Sequence, residues 1–437
     1  MKATPFSIAI LAMIIACAHA YAQQDALRID SAQIADTRIR IAVPTFATLD
    51  PAAFDLAREL SEVIAFDLRF SGLFILLMPN EYPPAFVGFD PDVSRLNFDQ
   101  WRATKAEYLI YGVIRQEGAE MVAQFRLFDL ATRDQIVGQE LRVERIHARL
   151  AAHRFSEEVI RYLDGVPGIG TSQIYFSGGQ GNTKEIYVAD YDGANVQQIT
   201  KHGSISIKPQ ISPDASKIAY LSYKDRYAYL YMFDRRTGLS VPLSKEVGLN
   251  AAPGWSPDGQ RLAMVLSKDA NMEIYLRDVD GKNATRLTRN RFADTSPTFS
   301  PDGRKIAFVS DRGGSAQIYV MNANGGDETR LSFQGGGSYD PVWSPDGKSI
   351  AYVVQRRGHG FQIWVMNADG GNARPITDAR GINDSPTWSP DSRHVAFMSN
   401  RSGRGEIYAI TLSTGEEHRL SRSNLHCEGP SWGPRRP

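Results

Sequence analysis

Cysteine is almost missing from this 437-residue chain, which has only Cys17 and Cys427. That scarcity excludes a disulfide framework and a Cys/His zinc site. Net charge is missing too: 49 Lys+Arg stand against 49 Asp+Glu. No global field therefore pulls the chain toward nucleic acid or anionic lipid, and electrostatic recognition must come from local patches. There is no G-x-S-x-G elbow, no H-E-x-x-H and no Walker-type phosphate loop. The histidines beyond the leader, His147, His153, His202, His359, His394, His418 and His426, fall into no cluster. The reading is a protein that is not an enzyme, with no catalytic residue, no cofactor and no metal. Long apolar runs are missing everywhere except at the start. Residues 6–18 are apolar but too short to span a bilayer, and no later stretch reads as a transmembrane helix.

That short run follows Lys2 and precedes Ala20-Tyr21-Ala22, the pattern of a secretory signal peptide over 1–22 cleaved after Ala22. Ile14-Ile15-Ala16-Cys17 loosely resembles a lipoprotein signal, which would lipidate Cys17 instead. With the leader removed, Cys427 reads as a small buried residue.

What the chain has in abundance is an internal repeat. Ser-Pro-Asp turns recur at Ser212, Ser256, Ser300, Ser344 and Ser389, each preceded by Ile211, Trp255, Phe299, Trp343 or Trp388. The register runs on to Trp432. Three further landmarks keep the same step, so four short strand signals repeat six times, as in β-propeller blades. In the turns, proline presets φ and the following glycine accepts φ > 0; Ala215 and Ser392 replace that glycine, which predicts strain there. The first repeat lacks its own first strand, and pairing 430–433 with 173–177 completes it from the C-terminus. DYDGAN at 190–195 looks like half a calcium loop but lacks the distant glutamate, and it reads as a hairpin turn.

Residues 23–165 show no such repeat. ALRID and TRIRIAVPTF read as strands, 51–70 as an amphipathic helix, FILLM as a buried strand, 107–146 as a three-stranded meander, and 147–163 as a second helix. The fold expected is therefore two-domain: a mixed α/β domain over 23–165, a linker over 166–171, and over 172–437 a six-bladed β-propeller closed by the C-terminal strand. The linker's glycines and proline predict limited domain motion.

Reading back from each first-strand proline gives SIK, NAA, DTS, SYD, NDS and CEG. Asp294, Asp340, Asp384 and Glu428 are expected to ring one tunnel opening with Asn250, Thr295, Tyr339 and Asn383. The alternative is that these side chains cap their own turns. Loops carrying Lys224, Arg226, Lys268, Arg312, Arg356, Arg357, His359, Arg401 and Arg404 should surround that opening. They form either a basic protein interface or an ordinary solvated rim.

Signal peptide, α/β domain and six Ser-Pro-Asp blades, with Ala26-Leu-Arg-Ile-Asp30 and Arg38-Ile-Arg-Ile-Ala-Val-Pro44 near the start, together resemble the TolB family. The resemblance implies a periplasmic, monomeric component of the Tol-Pal system that supports outer-membrane integrity and invagination during cell division. It implies as partners the lipoprotein Pal, the protein TolA and further outer-membrane proteins. It places the Pal contact at the tunnel mouth, on Asn250, Ala252, Asp294, Thr295, Tyr339, Asp340, Asn383, Asp384 and Glu428. It places the TolA contact on the N-terminal strand, at Gln23, Asp25, Leu27, Arg28, Ile29 and Asp30, where alternating Leu27 and Ile29 suit strand addition. Two rival readings are a secreted propeller enzyme, such as a glycan lyase or hydrolase, and a peptidoglycan-binding module.

Overall fold

The computed structural model describes residues 37–436, apart from 85, 87, 119, 357 and 359. The leader, the Cys17 question and the strand expected at Ala26–Asp30 lie outside the described residues. Among the described residues no helix is long and apolar enough to cross a membrane.

The N-terminal part is a five-stranded sheet in the order β2-β1-β3-β4-β5. Its strands are β1 (Ile39–Ala42), β2 (Phe74–Leu76), β3 (Tyr108–Glu117), β4 (Glu120–Asp129) and β5 (Gln135–Glu144). β1 runs parallel to β3, and β3, β4 and β5 form the antiparallel meander. Helix α1 (Phe54–Phe70) starts behind the Asp50 cap and Pro51. The short α2 (Phe98–Arg102), unmarked by any periodic pattern, is capped by Asn97. Helix α3 (Ala148–Asp164) ends on Gly165, whose φ of 85° stops it in the left-handed region. α1 and α3 pack on each other and over the sheet, with the Phe155 ring 5.2 Å from that of Phe125.

Residues 173–432 form six four-stranded sheets. Blade 1 takes its inner strand, His426–Trp432, from the C-terminus, and Ser431 pairs with Tyr175 and Trp432 with Ile174. Blades 2 to 6 start with inner strands Ser206–Ile211, Asn250–Trp255, Asp294–Phe299, Gly337–Trp343 and Asn383–Trp388. Their repeated turns explain the motif. The Ser212 hydroxyl donates to Asp214, and the same bond recurs at Ser256–Asp258, Ser300–Asp302, Ser344–Asp346 and Ser389–Asp391. The Ser212 hydrogen bond leads in holding the Asp214 carboxyl down at about 2. Ala215 and Ser392 do take positive φ, 58° and 62°. DYDGAN is a turn: Gly193 sits at φ 84°, and the Asp190 and Asp192 carboxylates are taken by Arg436 and Arg149. Apolar clusters fill each inter-blade seam, and Trp255 and Trp388 donate to the inner-strand carbonyls of Gln210 and Val342 in the preceding blade. Cys427 is buried and burial pushes its thiol up to about 11, the environment of a packing residue.

The α/β part packs against the turn ends of blades 1 and 6. Phe70, the last residue of α1, inserts among Tyr191, His394, His418 and Trp432, at centroid distances of 5.3, 4.4, 5.0 and 6.4 Å. Beside it the buried Asp67 carboxylate accepts from Tyr191 Oη at 2.5 Å and from Ser156 Oγ, and it pairs with His153 Nδ1 at 2.8 Å. Burial disfavours the charged His153 imidazole, yet the Asp67 carboxylate outweighs it and the net shift is upward. Histidines that looked scattered in sequence thus gather here: His153, His394 and His418 line one seam. Each has a packing role, with His394 Nδ1 bonded to Thr411 Oγ1. The linker is tied to its surroundings. Ile169 is buried, Arg435 donates to the carbonyls of Gly168 and Pro167, and Arg436 donates to that of Thr171.

Candidate partner-binding site

The open end of the ring lies opposite those turns, where the inner strands begin. Each begins with the same three-residue step before a buried proline, and each step carries a β-bulge. The residue just before the proline is Lys208, Ala252, Ser296, Asp340, Ser385 or Gly429. All six have φ between 45° and 56°. Five are not glycine, so each stores about 1 kcal/mol or more of backbone strain. The bulge turns these six residues toward the axis, where they line a cavity of about 110 Å³ with the prolines behind them.

This geometry sorts the residues expected at the mouth. Ala252 and Asp340 line the cavity. Thr295, Tyr339, Asp384 and Glu428 sit one residue earlier, half-buried beside it. Asn250, Asp294 and Asn383 do not line the opening; they are fully enclosed. Asn250 holds Ser244 and the Glu246 backbone, Asp294 pairs with Arg312 at 3.0 Å, and Asn383 holds the Asp378 carbonyl. Sequence reading mixed three positions of the triplet because side-chain polarity and the family resemblance, rather than bulge register, selected the residues. It missed Lys208, Ser296, Ser385 and Gly429, although the shared signal, the position just before each proline, was there to be used.

The electrostatics are equally specific. Blades 2 and 5 face each other across the axis. Lys208 Nζ reaches across to Asp340 Oδ2 at 3.1 Å, and Ser296 Oγ donates to Asp340 Oδ1 at 2.8 Å. The Asp340 carboxylate raises the Lys208 ammonium. Burial pushes Asp340 up, but Lys208 and Ser296 outweigh it and hold the carboxyl below its usual range. Asp384 goes the other way: burial, then the Asp340 charge, raise it. A carboxyl raised in the folded state destabilises the fold at full cost above its folded value; the cost shrinks as pH falls below that value and is gone below the ordinary value of an unfolded aspartate. Asp384→Asn is therefore expected to raise Tm at pH 7 and to leave it unchanged below the carboxylate range. Equal shifts at both pH values would refute the assignment.

The expected basic rim is largely committed to the protein itself. Lys268 lies on Tyr275, Arg312 on Phe308 and Tyr319, and Arg401 on Phe397 and Tyr408. These cations also pair with Glu246, Asp294 and Glu417. Arg404 pairs with Glu406. Arg357 and His359 lie outside the described residues.

A closed six-bladed propeller with an α/β domain on its turn end and a strained polar ring at its open end defines a WD40-like, two-part propeller protein. Comparison with known proteins narrows the class. The model of the TolB beta propeller domain matches residues 161–362 and 336–436, and that of the TolB amino-terminal domain matches 27–136. The chain belongs to the TolB family. A Tol-Pal system protein TolB of Cereibacter sphaeroides is 33% identical over 236 residues, covering 53% of this chain and 52% of the relative. That of Desulfosudis oleivorans is 35% identical over 247 residues, covering 56% of each. The chain thus spans about half the length of the curated relatives it matches. The crystal structure of TolB from Acinetobacter baumannii superposes with a TM-score of 0.80 at 26% identity, covering 91% of this chain and 97% of that one.

Proposed function

We propose that the protein is a periplasmic, non-enzymatic component of the Tol-Pal system, exported by its leader. Its tunnel mouth receives the lipoprotein Pal, and residues 23–30 add as a strand to TolA. It links the two in support of outer-membrane integrity and invagination during division. The relatives' names supply the system. The observation that carries the site is the ring of six pre-proline residues held in one strained conformation at the open end. A fixed surface loses little freedom on docking, which favours specific protein recognition. Two of the three mouth carboxylates are already held by cations, Asp340 by Lys208 and Glu428 by Lys184 at 2.6 Å, which supports binding over turnover.

Titration of the mature protein with its matched Pal tests this reading. Ala252→Arg and Thr295→Arg are expected to weaken Pal binding at least about tenfold, on the order of 1.4 kcal/mol, without changing the melting curve. Deleting 23–30 should abolish TolA capture. Full Pal affinity in both arginine variants removes the site. Recovery of glycan cleavage with no Pal binding establishes the enzyme reading instead. Asp294→Lys is unsuitable for this test, because it leaves Arg312 unpaired and reports on folding.

A further inference from the structure

Blade 2 departs from its five companions at its outer edge. The outermost strands of the other blades are two or three residues long: Gln197–Gln198, Ala284–Arg286, Thr329–Arg330, Arg374–Pro375 and Glu417–Arg419. That of blade 2, Leu239–Ser244, has six residues and pairs along its length with Tyr229–Asp234. Short outer strands are the usual protection of an open sheet edge. Here the protection is dropped, and apolar side chains are exposed on the same edge. Leu239 is 64% exposed and Val241 54%.

The pairing register sets which way they face. Val241 pairs with Met232 and Leu239 with Asp234, and directly paired residues share a face. Met232 is buried in the seam between blades 2 and 3. Leu239 and Val241 therefore extend that apolar seam outward past blade 3, whose own outer strand stops at three residues. Pro242 fits an edge strand only with its missing N–H on the open side. That side then offers the N–H and carbonyl of Ser240 and the carbonyl of Pro242, enough for a short ladder.

Charge selects the occupant. Lys224, Arg226, Arg235, Arg236 and Lys245 flank the strand, against Asp225, Asp234 and Glu246. All three acids are engaged: Asp225 by Lys245 and Tyr231, Asp234 by the turn backbone at Arg236 and Thr237, and Glu246 by Arg277. Arg226 and Arg236 form no salt bridge among the described residues.

We propose that the outer edge of blade 2 is a second protein-docking surface, separate from the tunnel mouth, that takes a short extended segment with aliphatic residues at alternate positions and carboxylates between them. The aliphatic side chains lie beside Leu239 and Val241. The carboxylates meet the flanking cations, and the backbone pairs with Ser240 and Pro242.

The test is fluorescence anisotropy on the mature protein with three synthetic peptides: DVEIDVE, the same composition scrambled as DEEDVIV, and KVKIKVK. The alternating acidic peptide is expected to bind most tightly and to weaken with added salt. Leu239→Lys with Val241→Lys should weaken it at least about tenfold, and Arg226→Glu with Arg236→Glu several-fold. All four positions are exposed and tolerate exchange. Thr295→Arg, at the tunnel mouth, should leave it unchanged, which separates this surface from the Pal site. Equal binding of all three peptides, no binding of any, or unaltered affinity in the lysine variant overturns the proposal. So does a wild-type dimer that the lysine variant dissolves, since the edge then pairs with a second copy.

Discussion

Removing residues 426–437 should lower Tm by at least about 10 °C and cost the propeller its single cooperative transition. The deleted strand is the inner strand of blade 1, and its loss opens the ring between blades 1 and 6. It bares the inner edge of Gln173–Gln180, which has no other partner on that side. It also removes Trp432, whose indole N–H donates to Ser172 Oγ and whose backbone N–H donates to Thr387 Oγ1. The loss of one buried tryptophan costs roughly 3–5 kcal/mol, a large part of the 5–15 kcal/mol that ordinarily holds a protein folded. Arg435→Ala with Arg436→Ala is the control. It frees the linker carbonyls but keeps the strand, and it should cost much less. A truncated chain with the wild-type melting curve, followed by calorimetry, refutes closure by the C-terminus.

Phe70→Ala is the second large effect, at roughly 3–5 kcal/mol. The ring is buried at the end of α1 and contacts residues from blade 1, blade 6 and the C-terminal strand at once. Relaxation cannot refill that space, because the Asp67–Tyr191–His153 bonds fix the surrounding groups. The loss falls on the seam between the two parts and leaves the ring itself intact. The expected result is a split melting curve, with the α/β part released first, and faster proteolysis within 165–171. One unsplit transition at the wild-type temperature means the seam is held by its ion pairs, Arg149 with Asp192 and Arg393 with Asp164.

Both predictions depend on contacts of different legibility. The repeat could be read because a blade is local: four strands within about 44 residues, joined by tight turns whose serine, proline, aspartate and glycine each have a backbone reason to be there. The ring closure could also be read, since a missing first strand and a leftover register match are both visible in one dimension. The seam at Phe70 could not. Phe70 reads as one more apolar residue of an amphipathic helix, and nothing local marks it as the one that crosses to His394 and Trp432.

By itself, then, the sequence determined the number of blades, their turns, the strand that closes them and the mixed α/β character of the first part, because all of these follow from short-range periodicity and turn chemistry. The tertiary structure alone decided which triplet position faces the axis, that Lys208 meets Asp340 across it, that Asp294 and Asn383 are sealed away, and that the edge of blade 2 stays open. Those outcomes depend on bulge geometry, which sets the side each residue faces, and for Lys208 and Asp340 on a pairing of residues 132 apart in the chain, neither of which a local pattern encodes.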